Sequence, residues 1–151
     1  MHDYLHPARE TEEAMIRFEI PVKTLASRDG MNARVHWRTR ADRTKKQRTI
    51  AKMMTAQAGH ATGIMRTLYR AVGKELAIEV RIPSVVTLTR KHSGVALDDD
   101  NLRSMMKAIR DGIADALGIK DNDPRVQWLY RQQKTKRNDF GVIVEIDNAE
   151  S

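Results

Sequence analysis

The chain has 151 residues, a formal net charge of +7, a pI near 9.9 and no cysteine. That length suits a single domain burying roughly 70% of its unfolded surface without covalent staples, and the missing cysteine excludes disulfides and zinc–thiolate sites. No apolar run approaches the ~18 residues of a membrane span, and the N-terminus has no signal-peptide core, so a soluble, cytoplasmic protein is expected.

The charge is unevenly placed. Residues 23–91 carry 16 Lys/Arg against 4 Asp/Glu, a local excess of +12, so the remainder sums to −5. A basic body with an acidic remainder suits a nuclease: the body binds phosphates, and a cation bridges the acidic pocket to the scissile group. The same excess also reads as a surface kept basic for solubility. An acidic membrane is a poorer partner, because no strongly hydrophobic face accompanies the charges.

Residues 1–14 are polar, without periodicity, and read as a flexible tail; the domain is expected over 15–148. From Met15 to Val22 the chain alternates, with Ile16, Phe18, Ile20 and Val22 on one face of a half-buried strand. Residues 23–38 form a long loop with a turn at Asp29-Gly30. Arg28, Arg34 and Arg38, with Asn32, His36 and Trp37, interleave cations with polar and aromatic groups. Such a loop can grip phosphates and stack on a splayed base; Trp37 equally fits a core anchor beneath the loop. A helix is expected from Thr39 to about Leu68. Ile50, Met53, Met54, Ala58, Ala61, Met65 and Leu68 would form its buried stripe, with a break possible near Gly59 and Gly63. Arg40, Arg43, Lys45, Lys46, Arg48 and Lys52 crowd its first half, and acidic i+4 partners are nearly absent, which favours an external anion.

Leu76–Ile82 and Val85–Arg90 read as β-rich segments either side of Pro83. The second leads through Lys91-His92-Ser93-Gly94 to Asp98, Asp99, Asp100 and Asn101. Leu102, Met105, Met106, Ile109, Ile113, Ala116 and Leu117 then follow the i, i+3, i+4, i+7 spacing of an amphipathic helix. Asp100 or Asn101 is its expected N-cap, and Gly118 its left-handed C-terminal residue. The acidic turn Asp121-Asn122-Asp123-Pro124 follows at once. Carboxylates brought together repel unless a cation sits between them, so two acidic clusters flanking one helix suggest a hard-metal site. Helix-dipole and turn chemistry account for the same residues without a metal. An EF-hand is excluded by its missing glycine and terminal glutamate. Finally, Val126, Trp128 and Tyr130, then Phe140, Val142, Val144 and Ile146, alternate as two strands. A turn at Arg137-Asn138-Asp139 is expected to join them as a hairpin.

The pattern Asp98-x-Asp100-Asn101-Leu102, then Lys107 and Asp111 one turn apart, then Asp123-x-x-Val126, resembles the RusA family. These are phage-borne Holliday junction resolvases. The match is strongest over residues 95–130. The resemblance implies an α+β fold, a mixed β-sheet with two main helices packed on one face, acting as a homodimer on branched, four-way DNA. It implies Mg²⁺, with Mn²⁺ substituting, held by Asp98, Asp100 and Asp123, and no organic cofactor. It also brings Asn32, within the basic loop after the first strand, into DNA contact beside Arg28, Arg34, Arg38, Arg40, Arg43, Lys46 and Arg48.

Two positions depart from the family pattern. Ser104 stands where its catalytic lysine usually lies, and Asn122 stands where its acidic turn usually carries an aspartate. Lys107 is the replacement expected here. At about 100° per residue, Asp100 to Lys107 turns about 700°, nearly two revolutions, whereas Asp100 to Ser104 overshoots one revolution by about 40°. Arg103 is the other candidate cation. The expected reaction is metal-assisted phosphodiester hydrolysis, with a second ion about 3.5–4 Å from the first assisting the leaving oxygen. The alternatives are a non-catalytic, structure-selective DNA-binding protein of the same fold, and a nuclease for flap or fork DNA.

Overall fold

The structure, a computed structural model, describes residues 15–24, 37–62, 65–70, 75–80 and 82–147. The tail 1–14, Arg28, Asn32, Arg34 and His36, and the Trp37 side chain, lie outside the described residues. The elements in chain order are β1 (Met15–Ile20), α1 (Trp37–Thr62), β2 (Met65–Arg70), β3 (Glu75–Val80), β4 (Val85–His92), α2 (Asp99–Leu117), β5 (Gln127–Lys134) and β6 (Gly141–Asp147). They form an α+β domain: a four-stranded mixed sheet in the order β1-β6-β4-β5, two helices packed together, and a separate β2-β3 hairpin.

The strand order corrects one expectation. β5 and β6 do not pair as a hairpin, because β4 lies between them, parallel to β5 and antiparallel to β6. Burial explains the arrangement. In β4, Val86 and Leu88 are fully buried and Thr87 and Thr89 nearly so, and Val142 to Val144 of β6 are likewise covered on both faces. Strands apolar on both faces belong in the middle of a sheet. β5, half-exposed along most of its length, takes the edge.

The registers set out rows across the sheet. Ile16, Ile146, Val86 and Trp128 form one, Phe18, Val144, Leu88 and Tyr130 the next, and Ile20, Val142, Arg90 and Gln132 the third. Leu102, Met106, Ile109, Ile113 and Leu117 of α2 join the sheet's inward residues in one core. Because β4 and β5 are parallel, the chain must cross back between them, and α2 is that crossover. Its N-terminus therefore lies toward the carboxyl ends of β4 and β5, where the polar pair Arg90 and Gln132 ends the apolar rows.

The first helix differs from expectation in both length and face. It ends at Thr62, and 65–70 is a strand, so Met65 and Leu68 are not helical. Its buried positions are Ala51, Thr55 and Gly59; of the expected stripe Met54 and Ala58 are half-buried against the core, while Ile50 and Met53 are exposed. The cause is on α2. A Cβ at Gly112 would stand 2.3 Å from the Arg48 carbonyl oxygen and 2.8 Å from the Ala51 Cβ. Backbone-level contact of this kind requires glycine on one helix and small residues on the other. Hydrophobicity alone selected the bulky residues; the close crossing selects the small ones. The Thr55 hydroxyl is satisfied by donating to the Ala51 carbonyl, 2.7 Å away.

Candidate functional site

The loop before α2 is held from β5. Gln132 donates its amide to the Leu97 carbonyl and accepts from the Leu97 amide, both at 2.8 Å, closing a two-bond clamp. The next residue, Asp98, is the N-cap: its Oδ1 accepts from the Asn101 amide at 2.9 Å, and its Oδ2 from the Asn101 side chain at 3.1 Å. The cap is thus Asp98 rather than Asp100 or Asn101. Asp99 and Asp100 occupy the exposed first turn of the helix. An acidic first turn is favoured by the helix dipole. At the other end Gly118 adopts φ 69°, the left-handed closure read from the sequence.

Asp123 is committed elsewhere. Its two oxygens take the Arg125 guanidinium as a fork, Nε at 3.0 Å and Nη2 at 2.7 Å, and Oδ1 also accepts the Arg125 amide at 2.9 Å. Those side-chain bonds, with the backbone bond second, hold the carboxyl down to about 2. The residue that supplies the countercharge sits two positions on, across Pro124. Among the described residues, no group of three or more His, Asp or Glu side chains stands ready to hold a metal ion.

Lys107 contacts the acidic residues nearer the middle and end of the helix: Asp111 Oδ2 at 3.3 Å and Asp121 Oδ2 at 4.0 Å. It makes no contact with Asp98 or Asp100. Ser104 and Arg103 are exposed, and the Arg103 guanidinium stands 5.7 Å from the centre of the Tyr130 ring. Arg110, which sequence reasoning missed, draws the acidic turn back along the helix. It donates to the Tyr130 hydroxyl at 2.8 Å and to the Asp121 carbonyl, and lies 4.9 Å from the Trp128 ring centre. Its Nε and the Trp128 Nε1 are buried without a protein acceptor.

The basic helix divides into two roles. Arg48 clamps Asp115 of α2 with Nε at 2.6 Å and Nη2 at 2.9 Å, and reaches Asp111 at 4.0 Å. That fork holds the Asp115 carboxyl below its usual range, and it ties α1 to α2 across a groove of about 380 Å³. Arg43, Lys45 and Lys46 are exposed and make no ion pair among the described residues. Arg38 and Arg40 lie on the same first turns, the former exposed and the latter half-exposed.

Local signals existed for two of the missed residues. Gln132 continues the Trp128, Tyr130 alternation and so falls on the helix-facing side of β5, and Arg125 lies within reach of Asp123 by sequence alone. Arg48–Asp115 spans 67 positions and has no local signature.

The two helices thus set the cationic surface of α1 beside the Asp111 and Asp115 carboxylates of α2. Among the described residues, no helix is long and apolar enough to cross a membrane. No family model matches the sequence, and no solved structure does. A protein of Xylella fastidiosa (strain Temecula1 / ATCC 700964), described only as uncharacterized, is 37% identical over 90 residues, covering 60% of this chain and 51% of that one. The chain thus spans about half the length of this relative.

Proposed function

We propose that the protein is a Mg²⁺-dependent endodeoxyribonuclease of the RusA type that acts on four-way DNA junctions as a homodimer. The observation that carries nucleic-acid binding is the set of exposed cations Arg43, Lys45 and Lys46 on α1, none of which has an ion pair among the described residues. Cations without protein counter-ions are available to displace the counterions condensed on phosphates. The motif Asp98-x-Asp100-Asn101-Leu102 carries the chemistry.

Asp98 and Asp100 suit a hard cation. Each Asp98 oxygen accepts one bond and keeps a further acceptor site, and Asp100 is exposed. Asp123 is held by Arg125 and does not join them in a three-carboxylate group. When bound, the ion supplies an activated water and neutralises the developing phosphorane charge. The chain's own contributions are the Gln132 clamp, which positions the loop carrying Asp98, and Lys107, an exposed ammonium that could exchange the half-buried Asp111 for a phosphate.

The test is incubation of labelled four-way junction, fork and linear duplex with and without Mg²⁺. Symmetric nicks in the junction alone are expected, with Asp100→Asn cutting about 10³-fold more slowly while binding is retained. Cutting at the wild-type rate by that variant removes Asp100 from the ligand set.

A second reading, non-catalytic structure-selective DNA binding with the same fold, is favoured by the Arg125 fork on Asp123. Junction binding without cleavage in Mg²⁺ or Mn²⁺ selects it.

A further inference from the structure

We propose that the cavity at the carboxyl end of β4 is a phosphate subsite anchored by Arg90. The ligand is a phosphate oxyanion; its identification as a phosphodiester of bound nucleic acid rests on the function proposed above. Three observations lead there.

The first is an uncompensated cation. Arg90 occupies the helix-facing side of the central strand, in the row with Ile20 and Val142, and is half-buried. Its Nε donates to the Thr24 hydroxyl at 3.0 Å and its Nη1 to Gln132 Oε1 at 3.2 Å. Both acceptors are neutral. Among the described residues no carboxylate comes within ion-pair reach of it, whereas Arg48, Lys91 and Arg125 each hold at least one. A charge drawn out of water normally acquires a partner of opposite sign. Burial accordingly pulls the Arg90 guanidinium below its ordinary value, yet an arginine stays charged at any working pH.

The second is space beside it. A cavity of about 220 Å³ opens against Arg90, bounded among others by Lys23, Ser93, Gly94, Asn138 and Asp139. The one carboxylate in this wall, Asp139, is taken by the Lys91 ammonium at 2.6 Å, which also holds Glu19 at 2.8 Å. One ammonium between two carboxylates leaves −1, so with Arg90 and Lys23 these groups sum to +1 around the cavity. The remaining N–H groups of a guanidinium form a planar fork, which suits two oxygens of one phosphate.

The third is position. The Gln132 amide oxygen that receives Arg90 also receives the Leu97 amide, next to Asp98. An anion seated on Arg90 therefore lies on the same hydrogen-bonded chain that positions the aspartate loop. Crevices beyond the carboxyl ends of parallel strands are the usual ligand sites of such sheets.

The experiment compares thermal unfolding in inorganic phosphate and in chloride at equal ionic strength. The proteins are wild type, Arg90→Gln, Arg90→Lys and Lys23→Ala. Phosphate is expected to raise the wild-type midpoint with saturation, an effect absent in Arg90→Gln, weakened in Lys23→Ala and partly kept in Arg90→Lys. An equal rise in all four, or no rise in wild type, overturns the subsite. Lys23 is exposed, so its variant decides the matter even where Arg90→Gln fails to fold.

The duplex-DNA arm identifies the source. The slope of log K against log salt should fall by about 0.9 in Arg90→Gln if one phosphodiester is held there. An unchanged slope alongside a lost phosphate response overturns the phosphodiester assignment and leaves a site for free phosphate. Neither arm reads cleavage, so a catalytically silent protein does not mimic a failed subsite.

Discussion

Gly112→Ala sets two effects of opposite sign against each other. Within a helix interior, alanine is favoured over glycine by about 1 kcal/mol, so propensity alone predicts stabilisation. The new methyl, however, would stand 2.3 Å from a backbone oxygen of α1, where ordinary contact begins at 3.4 Å. The atom in the way is backbone and cannot swing aside, so the helices must part by about 1 Å. A gap of that size forfeits roughly a quarter to a half of the dispersion energy of each contact it opens. Overpacking of this kind costs about 1–3 kcal/mol. The separation also strains the Arg48–Asp115 fork less than one turn away on α2. Repulsion therefore wins, for a net loss of about 1–2 kcal/mol. In a chain of this length that lowers the melting temperature by about 2–8 °C. Calorimetry of wild type and Gly112→Ala measures it, with Gly94→Ala as control because a Cβ there meets nothing within 4 Å. A melting temperature for Gly112→Ala equal to or above wild type would refute the close crossing as the reason for glycine.

Replacing Arg43 and Lys46 by Ala together should flatten the salt dependence of DNA affinity by about 1.8, at about 0.9 per phosphate, without altering which DNA structure is preferred; an unchanged slope shows that face to be merely solvated. Arg125→Gln should let the Asp123 carboxyl rise from about 2 toward the ordinary carboxylate range in an NMR titration, and should enlarge the thermal shift given by Mg²⁺; an Asp123 still titrating near 2 discards the fork as the cause. The Asp115 carboxyl is depressed by Arg48, so its contribution to stability is complete above about pH 4, the unfolded value, and disappears as pH falls through the folded value. Asp115→Asn should therefore flatten the acid limb of stability measured by urea midpoints from pH 5 to 2, and an unaltered limb removes Asp115 from that account.

The legible parts of this fold are those governed by a short period. Ile16, Phe18 and Ile20 alternate into β1, and in the α2 stripe Leu102, Met106, Ile109, Ile113 and Leu117 are buried, with Met105 and Ala116 half-buried at its margins. Gly118 closes α2 because the left-handed turn has a local signature. What the sequence withheld was set by partners distant along the chain. The face of α1 depends on Gly112, some 60 positions later, so the bulky Ile50 and Met53 lose the core to Ala51 and Thr55. The order of the last strands depends on which is apolar on both faces, and a hairpin turn at Arg137–Asp139 carries no such information. In the site, the identity of the N-cap was a contest among neighbouring residues with equivalent side chains. Asp98 takes it because the Gln132 clamp fixes Leu97 outside the helix.

That clamp bears on why cation and carboxylate lie close here without pairing. α2 is the crossover of a parallel strand pair, so its acidic first turn must come to the end of the sheet where Arg90 and Gln132 terminate the apolar rows. Placed in direct contact, Arg90 and Asp98 would cancel, as Arg48 and Asp115 do between the helices. Gln132 prevents it by standing between them as a neutral group with both an acceptor and donors. Its oxygen serves Arg90 and the Leu97 amide, and its nitrogen serves the Leu97 carbonyl. A carboxylate at this position would satisfy Arg90 internally and could not donate to Leu97; an apolar side chain would leave both without a partner. The amide alone links the Arg90 cation to the loop of Asp98 while leaving the two unpaired with each other. That leaves Arg90 available to the oxyanion, and Asp98 to the metal ion, proposed above.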